Sequence, residues 1–339
     1  MAIVADPPGV VEFPAGSGWQ AAAASRTGSR RQVNEDGWLI VPVSTYRPLL
    51  LAVADGVGGE AAGERASAEA LAALERVWRE WTPHGAPSRD EVRGRLLAAA
   101  GDADLAVQRL SRDVPQDHGP ATTLTAVAAG IDYLALVHAG DSRAYRVRRD
   151  AVEQLTADHT WVAEQIAERR LDPANAARHP MRHMITRYLG QPGGCAFAVD
   201  VLPRDVDDSL LLCTDGVSNT LAGGELAALV GGPTTDTSLR SDPAPPLLAP
   251  PTGSAQAHRR RTAIGGNGTS DLAATAGAAQ RVISLVAARD GDDDATVVVA
   301  WPASEARADP FGLRRVLGRR TVRRPLLARG ATIVAAAAG

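Results

Sequence analysis

Short apolar runs alternate with longer stretches of helical periodicity in the first 130 residues of the chain. The run LLLAVA, which ends at Asp55, is hydrophobic at every position and predicts a buried strand that stops at this carboxylate. From Gly63 to Trp81 apolar residues recur at helical spacing with few helix breakers, and Arg89 to Leu110 repeats the pattern. These patterns predict strands interspersed with two long helices.

Strand-like patterns dominate the middle of the chain. The segment 122–156 predicts three strands joined by tight turns at 130–132 and at Arg149–Asp150. Further predicted elements are a helix at Thr160–Arg170, a strand at Asp208–Cys213, a helix at Leu272–Ala288 and a strand at 295–301.

Two segments lack any apolar period. Residues 232–271 are rich in Pro, Gly, Ser and Thr, which predicts a disordered insertion. The segment 304–339 carries seven arginines between Leu313 and Arg329. It predicts a solvated, disordered tail, and the alternative is a segment that seats on an anionic membrane or an acidic partner.

Composition narrows the class of protein. With 339 residues, 45% hydrophobic and 22% charged, the chain resembles an ordinary soluble globular protein, and its net charge of −3 gives no reason to expect a nucleic-acid partner. The two cysteines stand alone, which excludes a disulfide framework and suits a reducing compartment. No signal peptide or membrane-spanning run is visible, so we expect a cytoplasmic protein.

Acidic residues recur where the predicted strands begin or end. They are Glu35 and Asp36 before WLIVPV, Asp55 after LLLAVA, Asp141 after YLALVHAG, Asp215 after SLLLCT, and Asp293 just before ATVVVA. A single Asp-Gly after a strand is usually only a turn. Several carboxylates that meet at one edge of a sheet repel each other and raise each other's pKa unless a cation neutralises them. Hard oxygen ligands suit Mg²⁺ or Mn²⁺ rather than zinc.

Six motifs in this order resemble those of the metal-dependent Ser/Thr protein phosphatases, the protein phosphatase 2C family. They are NED at 34–36, DGVGG at 55–59, GDSRAY at 140–145, LTADHT at 155–160, TDGVSN at 214–219 and DDDATVVV at 292–299. The resemblance covers about Ser25 to Ala300. It implies an α+β fold, a four-layer α-β-β-α sandwich of two antiparallel β-sheets flanked by helices. The expected catalytic domain is 17–303, with the tail 304–339 outside it.

The resemblance also implies metal ligands. Asp55 would bridge two Mn²⁺ or Mg²⁺ ions, Gly56 would offer its carbonyl to one ion, and Asp215 with Asp293 would hold the other. Asp141 matches the aspartate that holds a third ion in the family.

Substrate contacts follow from the same resemblance. Arg31 would grip the substrate phosphate, while Glu35 and Asp36 would orient metal-bound waters. The implied reaction is hydrolysis of phosphoserine and phosphothreonine by a water that two metal ions activate. The implied partners are phosphorylated proteins and a Ser/Thr kinase that the enzyme opposes, with no nucleic acid.

Three positions depart from the family pattern. Val57 stands where many relatives have His, Asn219 replaces a frequent Asp, and Asp294 replaces the Asn of an Asp-Asn pair. These departures motivate an alternative function, an inactive phosphatase fold kept as a binding or regulatory module. An unrelated two-metal hydrolase such as a nuclease is a further alternative, although no basic groove is evident.

Other polar residues have more than one interpretation. His159 would act as an acid or a ligand, or it would cap the following helix or pack structurally, and His138 would be a core or sheet-face residue. Arg143 would bind phosphate or make a structural bond to a neighbouring carbonyl. The basic stretch RHPMRHMITRY at 178–188 would meet an acidic or phosphorylated substrate, or be a solvated surface.

Overall fold

The computed structural model describes residues 10–11, 18–44, 46–58, 62–110, 119–148, 151–231 and 268–303. The predicted tail 304–339 lies outside the described residues, as does 232–267 of the predicted insertion. The last four residues of that insertion, 268–271, are helical rather than disordered, because they form the first turn of a helix.

Twelve strands and seven helices make up the described fold. The strands are β1 Val10–Val11, β2 Trp19–Arg26, β3 Asp36–Val41, β4 Leu49–Val57, β5 Ala121–Thr122, β6 Leu124–Ala129, β7 Tyr133–Ala139, β8 Arg143–Arg148, β9 Ala151–Gln154, β10 Ala198–Pro203, β11 Ser209–Cys213 and β12 Ala295–Pro302. The helices are α1 Ala62–Glu80, α2 Arg89–Leu110, α3 Trp161–Ala167, α4 Pro173–Ala176, α5 Asp215–Ser218, α6 Gly223–Val230 and α7 Gly268–Ala288.

The strands form two antiparallel sheets of six strands each. One sheet has the order β1-β2-β12-β11-β8-β9, and the other has the order β10-β7-β6-β4-β3 with β5 paired to β4. Helices α1 and α2 cover the outer face of the second sheet, and α6 and α7 cover that of the first. The α+β sandwich that the family resemblance implies is therefore confirmed.

Alternate residues of each central strand serve two different cores. In β4, Leu51 and Val53 face the other sheet, whereas Leu50 and Ala52 pack against α1 and α2. Because both faces of the strand are covered, every position of LLLAVA is apolar. The continuous run marks a strand in the middle layers of the sandwich.

Strand β4 extends past the carboxylate at which the sequence predicted its end. Asp55 lies within the strand, and Gly56 and Val57 continue it by pairing with β5. The predicted strand end was wrong because β5, only two residues long, gave no pattern of its own. Asp55 consequently has a fixed position in a sheet.

The segment 122–156 contains more strands than the three predicted. The chain breaks again at 140–142, where it leaves the sheet of β7 and enters that of β8. Gly140 makes this corner with a φ of +112°, and a Cβ there would lie 2.5 Å from the side chain of Thr123. The predicted turn at Arg149–Asp150 lies outside the described residues. The predicted helix at Thr160–Arg170 ends early, and Arg169 beyond it has a φ of 59°.

Candidate metal centre

Seven of the eight predicted site residues line one open cleft of about 430 Å³. They are Arg31, Glu35, Asp55, Gly56, Asp141, Asp215 and Asp293. The eighth, Asp36, is buried behind the cleft, directly opposite Asp55 in the pairing of β3 with β4. The structure thus brings the predicted carboxylates together, and their individual roles as ligands stay predictions.

Both sheets deliver carboxylates to this cleft. Asp55 comes from β4, and Asp141 sits in the corner between the two sheets. Asp215 opens α5 directly after β11, while Asp293 lies in the turn before β12. With Glu35 before β3, the cleft therefore collects acidic groups from five separate parts of the chain.

Burial and mutual repulsion disfavour the charged forms of these carboxylates. The pKa of Asp55 is raised well above its usual range by burial first and then by Asp36, Asp215 and Asp141. Burial and the charge of Asp293 raise the pKa of Asp215, and burial with Asp215 raises the pKa of Asp141 to about 7. Each shift is what an acidic cluster shows when its negative charge is not compensated.

Unpartnered oxygens test whether a cation fits. The buried Oδ1 atoms of Asp36, Asp141 and Asp215 have no hydrogen-bond partner in the structure. Buried polar atoms are nearly always paired, so three orphaned carboxylate oxygens around one cleft are a donor set for a hard divalent cation. These residues fit Mn²⁺ or Mg²⁺.

The ligand set is open rather than closed. Across the described ranges, no three Asp, Glu, His or Cys side chains are drawn together tightly enough to enclose an ion by themselves. Mg²⁺ characteristically keeps several waters and takes only one or two carboxylates, so an open acidic cleft agrees with this type of site.

Gly56 is required by the close approach of two backbone segments. A Cβ at this position would lie 2.1 Å from the carbonyl oxygen of Gly63 and 2.7 Å from that of Glu35. The Gly56 N–H donates to the same Glu35 carbonyl across 3.1 Å. The glycine therefore lets the segment before β3 pack directly against the cleft end of β4.

Arg31 reaches across the cleft mouth. One guanidinium nitrogen donates to Asp293 Oδ1 at 2.6 Å, and the other donates to Glu35 Oε2 at 3.0 Å. The Arg31 side chain remains 44% exposed, so it is accessible to a ligand. Arg30 points elsewhere and pairs with Asp292 at 3.2 Å.

Asp294, one of the three departures from the family pattern, fastens the segment that carries Arg31. Its two oxygens accept the backbone N–H groups of Gly28 at 2.9 Å and of Glu35 at 2.8 Å. Both carboxylate oxygens are engaged, and Asp294 is 4% exposed. The Asp294 carboxylate therefore holds two backbone N–H groups and does not line the cleft.

The other two departures from the family pattern, Asn219 and Val57, lie at the cleft or contact one of its carboxylates. Asn219 donates its side-chain amide to Asp215 Oδ2 at 3.1 Å and thereby orients that carboxylate. Val57 lines the cleft and is 48% exposed. Thr214, which sequence reasoning missed, donates its hydroxyl to Asp36 Oδ2 at 2.7 Å.

His138 and His159 are packing residues. Their rings stack with centroids 4.7 Å apart, and burial lowers the pKa of His138 to about 3 and that of His159 to about 4. The cap of α3 is Thr160 rather than His159, because the threonine side chain accepts the Ala163 N–H.

Arg143 is a structural residue. Its guanidinium forms a double contact with the carboxylate of Asp158, with donor–acceptor distances between 2.6 and 3.2 Å. The predicted partner, a backbone carbonyl, was wrong, since the charge of Asp158 provides the stronger bond.

The segment after α4 contributes to the cleft, although no periodicity marked it. His183 and Ile185 line the cleft together with the acidic residues. An isolated bridge between Thr160 and Ile185 brings them there. Such a bridge has no sequence signal beyond the basic composition of the stretch.

Known proteins match this chain in sequence and in fold. The family model for protein phosphatase 2C matches residues 25–242. A serine/threonine phosphatase stp of Listeria innocua is 29% identical over 203 residues, which cover 60% of this chain and 79% of the relative. The serine/threonine protein phosphatase PstP of Mycobacterium tuberculosis is 37% identical over 210 residues, covering 59% of this chain and 37% of the relative.

Solved structures of Ser/Thr phosphatases share the fold of this chain. The crystal structure of the M. tuberculosis phosphatase PstP/Ppp superimposes with a TM-score of 0.63 at 29% identity, covering 84% of this chain and 99% of that chain. A PstP catalytic domain in complex with two manganese ions gives a TM-score of 0.61 at 28% identity, covering 84% and 97%.

This chain thus shares its fold with solved Ser/Thr phosphatases, one of them in complex with two manganese ions. Since the family model matches more than half of the residues, the chain belongs to the protein phosphatase 2C family. Among the helices of the described ranges, none combines the length and the apolar character needed to cross a membrane.

Proposed function

We propose that the protein is a metal-dependent Ser/Thr protein phosphatase that hydrolyses phosphoserine and phosphothreonine in phosphorylated proteins with two Mn²⁺ or Mg²⁺ ions. The observation that carries this proposal is the meeting of Asp55, Asp141, Asp215 and Asp293 in one cleft beside Arg31. Membership of the phosphatase family supports the activity, and the two manganese ions of the PstP catalytic domain support the cofactor.

We assign the metal ligands as the family resemblance implies them. Asp55, the Gly56 carbonyl, Asp215 and Asp293 would hold two ions, and Asp141 would hold a third. When bound, the divalent cations act as Lewis acids on phosphate oxygens and lower the pKa of a bound water.

The protein's own groups then bind and orient the phosphate. Arg31 offers a planar fork of donors that matches two phosphate oxygens, and it stabilises negative charge there as the phosphorus–oxygen bond breaks. Glu35 and Asp293 hold this fork in place through its two nitrogens. Asp36, behind the cleft, would orient water that a metal ion holds.

In many relatives a histidine at the position of Val57 would protonate the leaving alkoxide. In this chain another group donates that proton. The Val57 side chain has no ionisable group. The mechanism therefore leaves protonation of the alkoxide to water, which reaches the open cleft freely.

The alternative of an inactive binding module is not favoured. Such a module has no need of orphaned carboxylate oxygens, yet Asp141 and Asp215 each retain one at the cleft. Of the three departures, Asn219 and Asp294 make contacts that support the cleft.

The test is release of phosphate from a phosphothreonine peptide in Mn²⁺ and in EDTA. We expect turnover in Mn²⁺ that EDTA abolishes, and loss of at least about 100-fold in kcat for Asp55→Asn. Asp200→Asn is the matched control, because Asp200 is exposed on β10 and outside the cleft. Hydrolysis that persists in EDTA would contradict the proposal.

Three further assignments extend this function. We infer that the enzyme opposes a Ser/Thr kinase, since only a kinase supplies phosphorylated side chains. We place it in the cytoplasm, where its two free cysteines would stay reduced. We take 17–303 as the catalytic domain, and expression of that range with retained activity would test the boundary.

A further inference from the structure

A basic turn stands beside the cleft. We use this name for residues 178–184, which lie between α4 and β10. From Pro173 to Val199 the chain has no acidic residue, but it has five arginines and histidines. They are Arg178, His179, Arg182, His183 and Arg187.

Backbone contacts fix the position of the basic turn. The Met184 carbonyl accepts the Trp161 N–H at 2.8 Å, and the Thr186 N–H donates to the His159 carbonyl at 2.8 Å. The ring of His179 stacks on Trp161 with centroids 4.6 Å apart. The turn is therefore docked on the start of α3 instead of extending freely into solvent.

The arginines of the basic turn are unpaired. Arg178 and Arg182 are both exposed, and in the part of the chain that the structure describes neither forms an ion pair with a carboxylate. Elsewhere on the surface, arginines such as Arg76, Arg89 and Arg289 pair with acidic side chains. Two positive charges on this turn thus remain available to a partner.

The basic turn is continuous with the cleft. Its residue His183 lines the cleft together with Arg31 and Asp215. Arg182 directly precedes His183 in the chain, so the basic turn adjoins the cleft at His183. A peptide whose phosphate reaches Arg31 therefore brings residues on this side of the phosphate close to the basic turn.

We propose that the basic turn binds acidic side chains that flank the phosphorylated residue, so that the preferred substrates are phosphopeptides rich in Asp and Glu beside the phosphate. This inference rests on the proposed phosphatase function. Arg178 and Arg182 supply the charge, and His183 adds a donor at the cleft edge. The solvated-surface interpretation of the stretch 178–188 is the competing one.

The expected effect is modest and sensitive to salt. An exposed ion pair contributes a factor of about 2 to 5 in binding, so two pairs give a preference of about 4- to 25-fold. Charges at a surface are screened over about 8 Å at physiological ionic strength. The preference must therefore shrink when the salt concentration is raised.

The experiment compares two phosphothreonine peptides of equal length, one with Glu and one with Gln at the flanking positions. We expect kcat/KM in Mn²⁺ to favour the Glu peptide, mainly through KM, and the ratio to approach one in the double variant Arg178→Ala/Arg182→Ala. Arg93→Ala is the matched control, because Arg93 is an exposed arginine of α2 and should keep the ratio.

A charge swap separates direct contact from structural damage. The variant Arg178→Glu/Arg182→Glu should prefer a Lys-flanked peptide, a gain that misfolding cannot produce. Equal kcat/KM for the Glu and Gln peptides in the wild type would overturn the inference while leaving the phosphatase function intact. Failure to hydrolyse p-nitrophenyl phosphate in Mn²⁺ would instead contradict the phosphatase function itself.

Discussion

Asp36 and Asp55 lie directly opposite each other on neighbouring antiparallel strands, with the Asp55 carboxylate at the cleft and that of Asp36 buried behind it. Burial is the largest cause that raises the pKa of both groups, and the charge of Asp36 raises the pKa of Asp55 further. Like charges at such a pair destabilise a sheet. The fold therefore keeps an arrangement that weakens the protein unless a cation is bound.

Replacing Asp55 by Asn should stabilise the metal-free protein while it removes activity. The amide carries no charge and can donate a hydrogen bond to Asp215, so repulsion in the cleft falls. We expect the metal-free melting temperature to rise by about 2–4 °C for each kcal/mol of relieved repulsion. Thermal unfolding in EDTA measures this rise.

Addition of Mn²⁺ should make the wild type more stable than Asp55→Asn, which reverses the order expected in EDTA. Mn²⁺ binds the folded wild type and should raise its melting temperature by mass action, whereas Asp55→Asn should respond weakly. A variant that is less stable than wild type in EDTA would contradict the proposed repulsion. Asp200→Asn, on the exposed edge of the sandwich, should behave as wild type under both conditions.

The sequence allowed the buried strands and the acidic chemistry of the cleft to be predicted for a physical reason, whereas the layers of the sandwich were implied by the family resemblance. Central strands such as β4 are covered on both faces, so their residues form an unbroken apolar run in the sequence. Carboxylates such as Asp215 interrupt these runs next to glycine, and this local contrast is readable without a structure.

Contacts between distant parts of the chain could not be predicted. The hydrogen bond from the Gly28 N–H to Asp294 spans 266 positions, and no local sequence pattern near either residue predicts it. The sequence placed a strand end before Asp141, but it gave no sign that the chain crosses from one sheet to the other at Gly140. The two-residue strand β5 exists only because Gly56 and Val57 of β4 offer it a partner.

Asp294→Ala should weaken both folding and phosphate binding. Its removal leaves two buried N–H groups, those of Gly28 and Glu35, without an acceptor, which we expect to cost about 3 kcal/mol. Because these groups fasten the segment that carries Arg31, KM for a phosphopeptide should rise as well. Urea unfolding and steady-state kinetics measure the two effects.

Asp294→Asn should be intermediate, since its amide keeps one oxygen to accept a hydrogen bond. Asp292→Ala is the matched control, because this neighbouring acid makes an exposed ion pair with Arg30 and should change stability by less than about 0.5 kcal/mol. If Asp294→Ala behaved like Asp292→Ala in both measurements, the hydrogen bonds from Gly28 and Glu35 to Asp294 would have no role.

Acid should destabilise the protein through His138. The pKa of this buried imidazole is about 3 in the folded protein, against 6.5 as its ordinary value, with burial as the largest cause. Between these values the unfolded chain binds a proton that the folded one excludes. Stability is therefore lost as the pH falls through this window, at up to about 1.4 kcal/mol per pH unit for this group.

Urea unfolding between pH 4.5 and pH 7 measures this contribution. His138→Gln should be less stable at pH 7, yet its stability should fall less steeply with acid than that of the wild type. His84→Gln, at an exposed position, should keep the slope of the wild type. Equal slopes for His138→Gln and wild type would show that another group governs the acid transition.

Arg31→Lys should impair phosphate binding although it conserves the charge. Arg31 uses two separate nitrogens to reach Glu35 and Asp293, and a single ammonium cannot span both partners and also present a fork to phosphate. Loss of one hydrogen bond to a charged group corresponds to about 1.5–3 kcal/mol, so kcat/KM should fall about 10- to 150-fold, mostly through KM. Inhibition by inorganic phosphate should weaken in parallel. Arg30→Lys, the exposed neighbour that pairs with Asp292, should retain wild-type kinetics, and equal kcat/KM for the two variants would remove Arg31 from the phosphate site.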